Sequence, residues 1–157
     1  MGSDVKVKFF PPKDGWIKII LTYKGRDIPI YSSDVFDPYP ALLNWLEKVL
    51  ENELPARWHI NEEDAFIDFI ADTDESGKGR LRLIGKQRGE EYEDQTVYTF
   101  VDAPDLTGIA KEIYRGFREM LDHEFEPGEW GMDIRKLDWE RIDKYLARND
   151  ASRAVHG

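Results

Sequence analysis

Asp72-Thr73-Asp74-Glu75-Ser76-Gly77 reproduces the opening of a calcium loop, in which alternate side-chain oxygens converge on the ion and a glycine permits the sharp turn. The match stops there. The twelfth position, where such a loop needs a bidentate glutamate, is Leu83, and the flanking residues alternate as strands do. Asp, Ser and Gly are ordinary turn formers, so a hairpin loop accounts for the same residues without an ion. Asp122-His123-Glu124-Phe125-Glu126 sets a histidine among carboxylates, the ingredients of a general base with an orienting acid. Neighbouring residues of a helix diverge, however, and H-E-x-x-H spacing is absent. His59 shares a strand face with Arg57, and imidazole is the side chain best suited to proton transfer at neutral pH. Its ordinary fate is a sheet surface or a satisfied hydrogen bond. His156 lies in the terminal stretch.

Other constellations are missing. Gly77-Lys78-Gly79 lacks the earlier glycine and the following Ser or Thr of a phosphate-binding loop, and neither G-x-G-x-x-G after a strand nor G-x-S-x-G occurs. The chain has no cysteine, which removes disulfides, thiol catalysis and thiolate metal sites. With 32 acidic residues, paired carboxylates of the glycosidase kind arise in so many combinations that no one pair is informative. No catalytic residue, cofactor or metal site is therefore assigned. An enzyme using His123 or His59 with nearby carboxylates stands as the alternative reading.

The elements that would position these residues are legible in the hydrophobic periodicity. Val5, Val7 and Phe9 alternate with Lys6 and Lys8, and Trp16 to Tyr23 alternates with Ile17, Ile19 and Leu21 on one face. Lys24-Gly25 fits a two-residue hairpin turn, returning the chain through Arg26 to Tyr31. Asp37-Pro38 then opens an amphipathic helix whose stripe is Leu42, Leu43, Leu46, Val49 and Leu50, ended before Pro55. Ala56–Ile60, Ala65–Asp72, Arg80–Ile84 and Thr96–Val101 read as extended segments. Leu106, Ile109, Ala110, Ile113, Phe117, Met120 and Leu121 switch to helical spacing, with Asp102 or Asp105 as cap. A last helix starts at Asp138, stapled by Leu137 and Ile142 and carrying Trp139, Ile142 and Leu146 as its stripe. The order β-β-β-α-β-β-β-β-α-α predicts an α+β fold: a mainly antiparallel sheet of six to seven strands with helices packed on one face. Residues 1–148 are expected to form a single domain and residues 149–157 a frayed tail.

The 157 residues carry a formal charge of −10, 41% hydrophobic residues and no apolar run of signal-peptide or membrane-span length. A cytoplasmic protein with no membrane partner is expected. The charge disfavours nonspecific nucleic-acid binding and favours a basic protein partner. Glu62, Glu63, Asp64, Asp72, Asp74, Glu90 and Glu91 supply acidic loops, with Phe66 and Tyr92 as aromatic anchors beside them. In surface type the chain is similar to small acidic immunity proteins and other nuclease inhibitors. We therefore expect a non-catalytic, immunity- or inhibitor-like protein-binding domain, with an oligomeric structural module as a third reading. If Ile17, Ile19, Leu21, Ile67, Phe69, Leu81, Leu83, Val97 and Val101 pack under the helices, Trp16, Ile20, Tyr31, Phe66, Ile70, Tyr98 and Phe100 fall on the opposite face. So apolar a face calls for cover by the last helix, a partner or, preferentially, a second copy in a homodimer.

Overall fold

The computed structural model describes residues 5–87, 95–98, 105–131 and 133–156. Seven strands and three α-helices follow one another as β1 (Val5–Phe9), β2 (Trp16–Tyr23), β3 (Arg26–Ser33), α1 (Tyr39–Leu50), β4 (Ala56–Asn61), β5 (Ala65–Thr73), β6 (Gly79–Gln87), β7 (Gln95–Tyr98), α2 (Leu106–Leu121) and α3 (Glu140–His156). The class is α+β, as the periodicity predicts. One sheet is not what forms. The strands make two antiparallel meanders, β1-β2-β3 and β4-β5-β6-β7, because α1 intervenes between β3 and β4 and no backbone ladder joins those two strands. Across that gap the Tyr31 N–H donates to the Glu62 carboxylate at 2.9 Å.

Local chemistry explains the turns and caps. Lys24 and Gly25 both take positive φ, 49° and 77°, the backbone that a two-residue turn needs to match the twist of β2 and β3. Asp37 accepts the Tyr39 N–H at 3.0 Å at the start of α1, and Asp105 accepts the Gly108 N–H at 2.9 Å at the start of α2. Asp138 does the same for Glu140 at 3.0 Å. Helix α3 continues through His156, past the expected end at residue 148, since Ala151, Arg153 and Ala154 are good helix formers.

One hydrophobic cluster draws on both sheets and all three helices. Its centre is aromatic. Tyr39 of α1 stacks on Phe117 of α2 at 4.9 Å, meets Phe9 of β1 at 6.4 Å and reaches Trp58 of β4 at 6.5 Å. Trp58 continues to Phe69 at 4.9 Å and to Trp45 at 6.3 Å, so a chain of rings spans the two sheets. The buried stripe of α1 includes Tyr39 and Trp45 and leaves Leu43 at its margin, a broader face than the aliphatic stripe expected. Polar atoms among these rings are satisfied. The Trp58 indole donates to the Pro38 carbonyl at 2.9 Å and that of Trp45 to the Ala56 carbonyl at 3.2 Å. The Tyr39 hydroxyl pairs with Ser32 Oγ at 2.6 Å, which donates to the Ile17 carbonyl at 3.1 Å. Burial raises the Tyr39 pKa well above the phenolic range.

Helix α2 covers the outer edge of β1. The Val7 N–H lies 3.4 Å from Glu112 Oε1, and a Cβ added at Gly116 would stand 2.6 Å from the Val7 carbonyl oxygen. Only glycine allows that approach.

In β2 the inward residues Ile17, Ile19 and Leu21 are buried and the outward Trp16 and Ile20 exposed or half-buried, as expected; β3 follows the same alternation from Ile28 to Ser32. In β7 Tyr98 pairs with Leu83 and Val97 with Ile84. Val101 and Phe100 lie outside the described residues.

Candidate functional site

The outward face of the second sheet gathers most of the chain's candidate chemistry. The β4–β5 register sets His59 opposite Asp68 and Arg57 opposite Ile70, while β6 brings Arg82 beside Ile70 and Arg80 beside Asp72. Asp68 is only 3% exposed although it belongs to the outward row. Arg57 and His59 cover it: Arg57 Nη2 donates to Oδ2 at 2.6 Å, and His59 Nδ1 lies 2.7 Å from Oδ1. The His59 ring in turn stacks on Phe66, with centroids 5.3 Å apart. Burial pushes the Asp68 carboxyl pKa up, but the hydrogen bonds and charges of Arg57 and His59 outweigh it and hold the group below the ordinary carboxylate range.

A parallel arrangement lies four residues on along the same strand. Asp72 accepts from Arg80 Nε at 2.7 Å and from Arg82 Nη2 at 2.8 Å, and its pKa is lowered because these two cations outweigh partial desolvation. This sheet face is therefore a lattice in which each carboxylate is held by two basic side chains.

The geometry bears on each histidine differently. A buried carboxylate on Nδ1 fixes the His59 ring orientation, the arrangement that general bases use, with the side chain 47% exposed to a reactant. His123 is exposed beyond the end of α2, where its backbone carbonyl accepts from Arg135 Nη2 at 2.9 Å. Asp122 and Glu124 are also exposed there.

The acidic residues expected to meet a partner divide. Glu62 is partly withdrawn from water: it receives the Tyr31 N–H, and burial raises its pKa. Glu63 takes positive φ, 74°, with its N–H donated to Asn61 Oδ1 at 2.8 Å, and Asp64 is exposed. Asp72 is engaged by its two arginines. Asp74 closes its own turn, accepting from Ser76 N at 2.8 Å, Ser76 Oγ at 2.6 Å and Lys78 N at 3.0 Å, which lower its pKa. Phe66 is half-buried on the outward face beside the 61–64 turn. Glu90, Glu91 and Tyr92 lie outside the described residues. Among the described residues no cluster of three or more metal-ligating side chains forms, and no helix is long and apolar enough to cross a membrane.

The residue that sequence reasoning missed is Asp68. Its signal was available in the chain: counting outward from the acidic turn, a hairpin that pairs Asn61 with Phe66 also pairs His59 with Asp68.

No family model matches the chain, and no curated protein or solved structure is significantly similar to it.

Proposed function

We propose that the chain is a non-catalytic protein-binding domain that engages its partner with the outward face of its strands. The observation that carries this reading is aromatic surface held on rigid strands in solvent: Trp16 and Tyr31 are 36% and 43% exposed, with Phe66, Ile20 and Ile70 half-buried. Helix α3, one candidate cover, packs instead against α1, where Arg141 meets Glu47 at 3.5 Å and Ile142 enters the core. Rigid aromatics on strands are efficient anchors, because little side-chain entropy is lost when they are buried. Glu62, Glu63 and Asp64 rim the Phe66 end of this face, so the matching partner surface is basic, as for an immunity- or inhibitor-like protein.

The test compares wild type with Phe66→Glu and Tyr31→Glu as baits in the native lysate, each first shown to keep its near-UV spectrum. A basic protein retained at low salt, released as salt rises and lost from both variants is the expected result. Equal retention by wild type and variants overturns the reading. Sedimentation at micromolar concentration separates the homodimer form of the proposal, in which the same variants convert a dimer into folded monomers.

A second reading rests on the oriented His59–Asp68 pair, which suits acid–base catalysis. Its test is any hydrolytic or proton-transfer activity abolished by His59→Gln and by Asp68→Asn while the fold persists.

A further inference from the structure

A groove of about 370 Å³ runs where the outward face of β1 and β2 meets the C-terminal half of α2. Its floor is Lys6, Lys8, Ile20 and Thr22, and its wall is Arg115, Glu119 and His123. Lys6 and Lys8 are both exposed, and neither has a carboxylate within ion-pair distance among the described residues. Lys18 is in the same position: its ammonium lies over the rings of Phe10 and Tyr31 at 5.7 and 5.9 Å, and Lys8 lies over Phe10 at 4.8 Å. Arg115 differs, being clamped between Glu112 at 2.6 Å and Glu119 at 2.5 Å, which fixes its position in the wall.

In a chain with 32 acidic and 22 basic residues, three neighbouring lysines without an ion-pair partner among the described residues form a local cationic surface. We propose that this groove binds an acidic segment of another polypeptide in extended conformation. Charge complementarity chooses the occupant, and spacing chooses its conformation. Lys6 and Lys8 lie two residues apart on one strand and so are roughly 7 Å apart, the same interval that separates alternate side chains of an extended ligand. Acidic residues at alternate positions meet the two ammonium groups in register beside Ile20 and Thr22, and the side chains between them point away from the floor.

A long polyanion fits less well. Glu119 stands in the wall, and Asp122 and Glu124 flank His123 at the end of the groove, so a uniformly charged phosphate backbone meets carboxylates wherever it leaves the lysines. A peptide can place neutral residues at those points. This groove shares Ile20 with the aromatic face proposed above but lies away from its acidic Phe66 end on the second sheet, and its test does not depend on that end being an interface.

The probe is a dye-labelled octapeptide of alternating glutamate and threonine, read by fluorescence anisotropy at low salt. Comparison probes are a peptide of the same composition with its four glutamates in one block, and single-stranded dT8. Saturable binding of the alternating peptide, weakened about tenfold by the double variant Lys6→Glu/Lys8→Glu and changed less than about twofold by Lys24→Glu in the β2–β3 turn, is the expected result. The block peptide should bind more weakly than the alternating one. If the charge reversal perturbs the near-UV spectrum, Lys6→Gln/Lys8→Gln carries the same comparison, with a loss of about threefold expected. The proposal is overturned if the alternating peptide does not saturate, if the double variant binds it as well as wild type, or if dT8 binds more tightly, which would make the groove a nucleic-acid site.

Discussion

The two sheets are both antiparallel meanders with one face in the core, yet their outward faces treat charge in opposite ways. On the second sheet Asp68 and Asp72 each bind two basic side chains, leaving a surface whose charges satisfy one another. On the first sheet Lys6, Lys8 and Lys18 have no such partner among the described residues, and Lys8 and Lys18 lie over the rings of Phe10 and Tyr31. The difference separates two jobs that surface charge performs. Ion pairs closed within a sheet specify its register and hold a buried carboxylate. Unpaired cations contribute nothing of the kind and remain available to something outside the chain.

Asp68→Ala tests the closed side most severely. Arg57 and His59 keep 61% and 47% of their side-chain surface in water, so their charges are not stranded by the change. The loss should then be about 1–2 kcal/mol rather than that of a fully buried pair. For a chain of this length that lowers the melting temperature by about 2–8 °C, measurable by calorimetry. Asp72→Asn should cost less, about 0.5–1 kcal/mol, because the Asp72 side chain is itself more exposed than that of Asp68, 16% against 5%, and the amide keeps an acceptor oxygen. Both carboxylates have folded-state pKa values below their unfolded ones. Their stabilisation is therefore present above the unfolded value of about 3.9 and is lost as pH falls through the folded values. Urea unfolding at stepped acid pH should show a shallower acid loss in Asp68→Asn than in wild type.

Glu62 gives the opposite slope. Burial raises its folded pKa above the unfolded one, so its contribution is fully present below the unfolded value and disappears as pH rises through the folded value. Glu62→Gln keeps a carbonyl oxygen for the Tyr31 N–H, and should leave stability at neutral pH unchanged or slightly higher while removing this dependence. The smallest effect belongs to the open side. Lys6→Gln and Lys8→Gln should each move stability by less than about 0.5 kcal/mol, as exposed side chains without an ion pair do. A loss as large as that of Asp68→Ala would erase the contrast between the two faces.

How far the sequence could be read follows the same physics. Helix α2 was legible because seven apolar residues keep helical spacing and Asp105 stands where a cap belongs. The β2–β3 hairpin was legible because Lys24-Gly25 leaves few other turns open. The aromatic breadth of α1 was not: Tyr39 and Trp45 carry polar atoms that a hydrophobic stripe discounts, and their burial depends on carbonyl and hydroxyl partners supplied by Ala56 and Ser32, which periodicity cannot reveal. The division into two sheets depends on the path of α1 and on a missing ladder between β3 and β4, a tertiary outcome with no local signature. The acidic surface was overestimated for a related reason. Counting carboxylates in Asp72 and Asp74 says nothing of Arg80 and Arg82 across the strand, or of the turn that Asp74 closes upon itself.

Gly116 bears on how this protein survives crowding. An uncovered strand edge offers its N–H and C=O groups as a template for further strands, and thereby for fibrous association. At β1 that template is capped by a helix whose contact depends on one missing methyl group. Gly116→Ala would place a carbon 2.6 Å from the Val7 carbonyl oxygen and push α2 outward, exposing the strand edge and loosening the Phe117 stack on Tyr39, while the Trp45, Trp58 and Phe69 rings stay packed. The expected phenotype is a protein that folds at low concentration and loses its colloidal stability as concentration rises. Light scattering during slow heating would register this well before the melting transition.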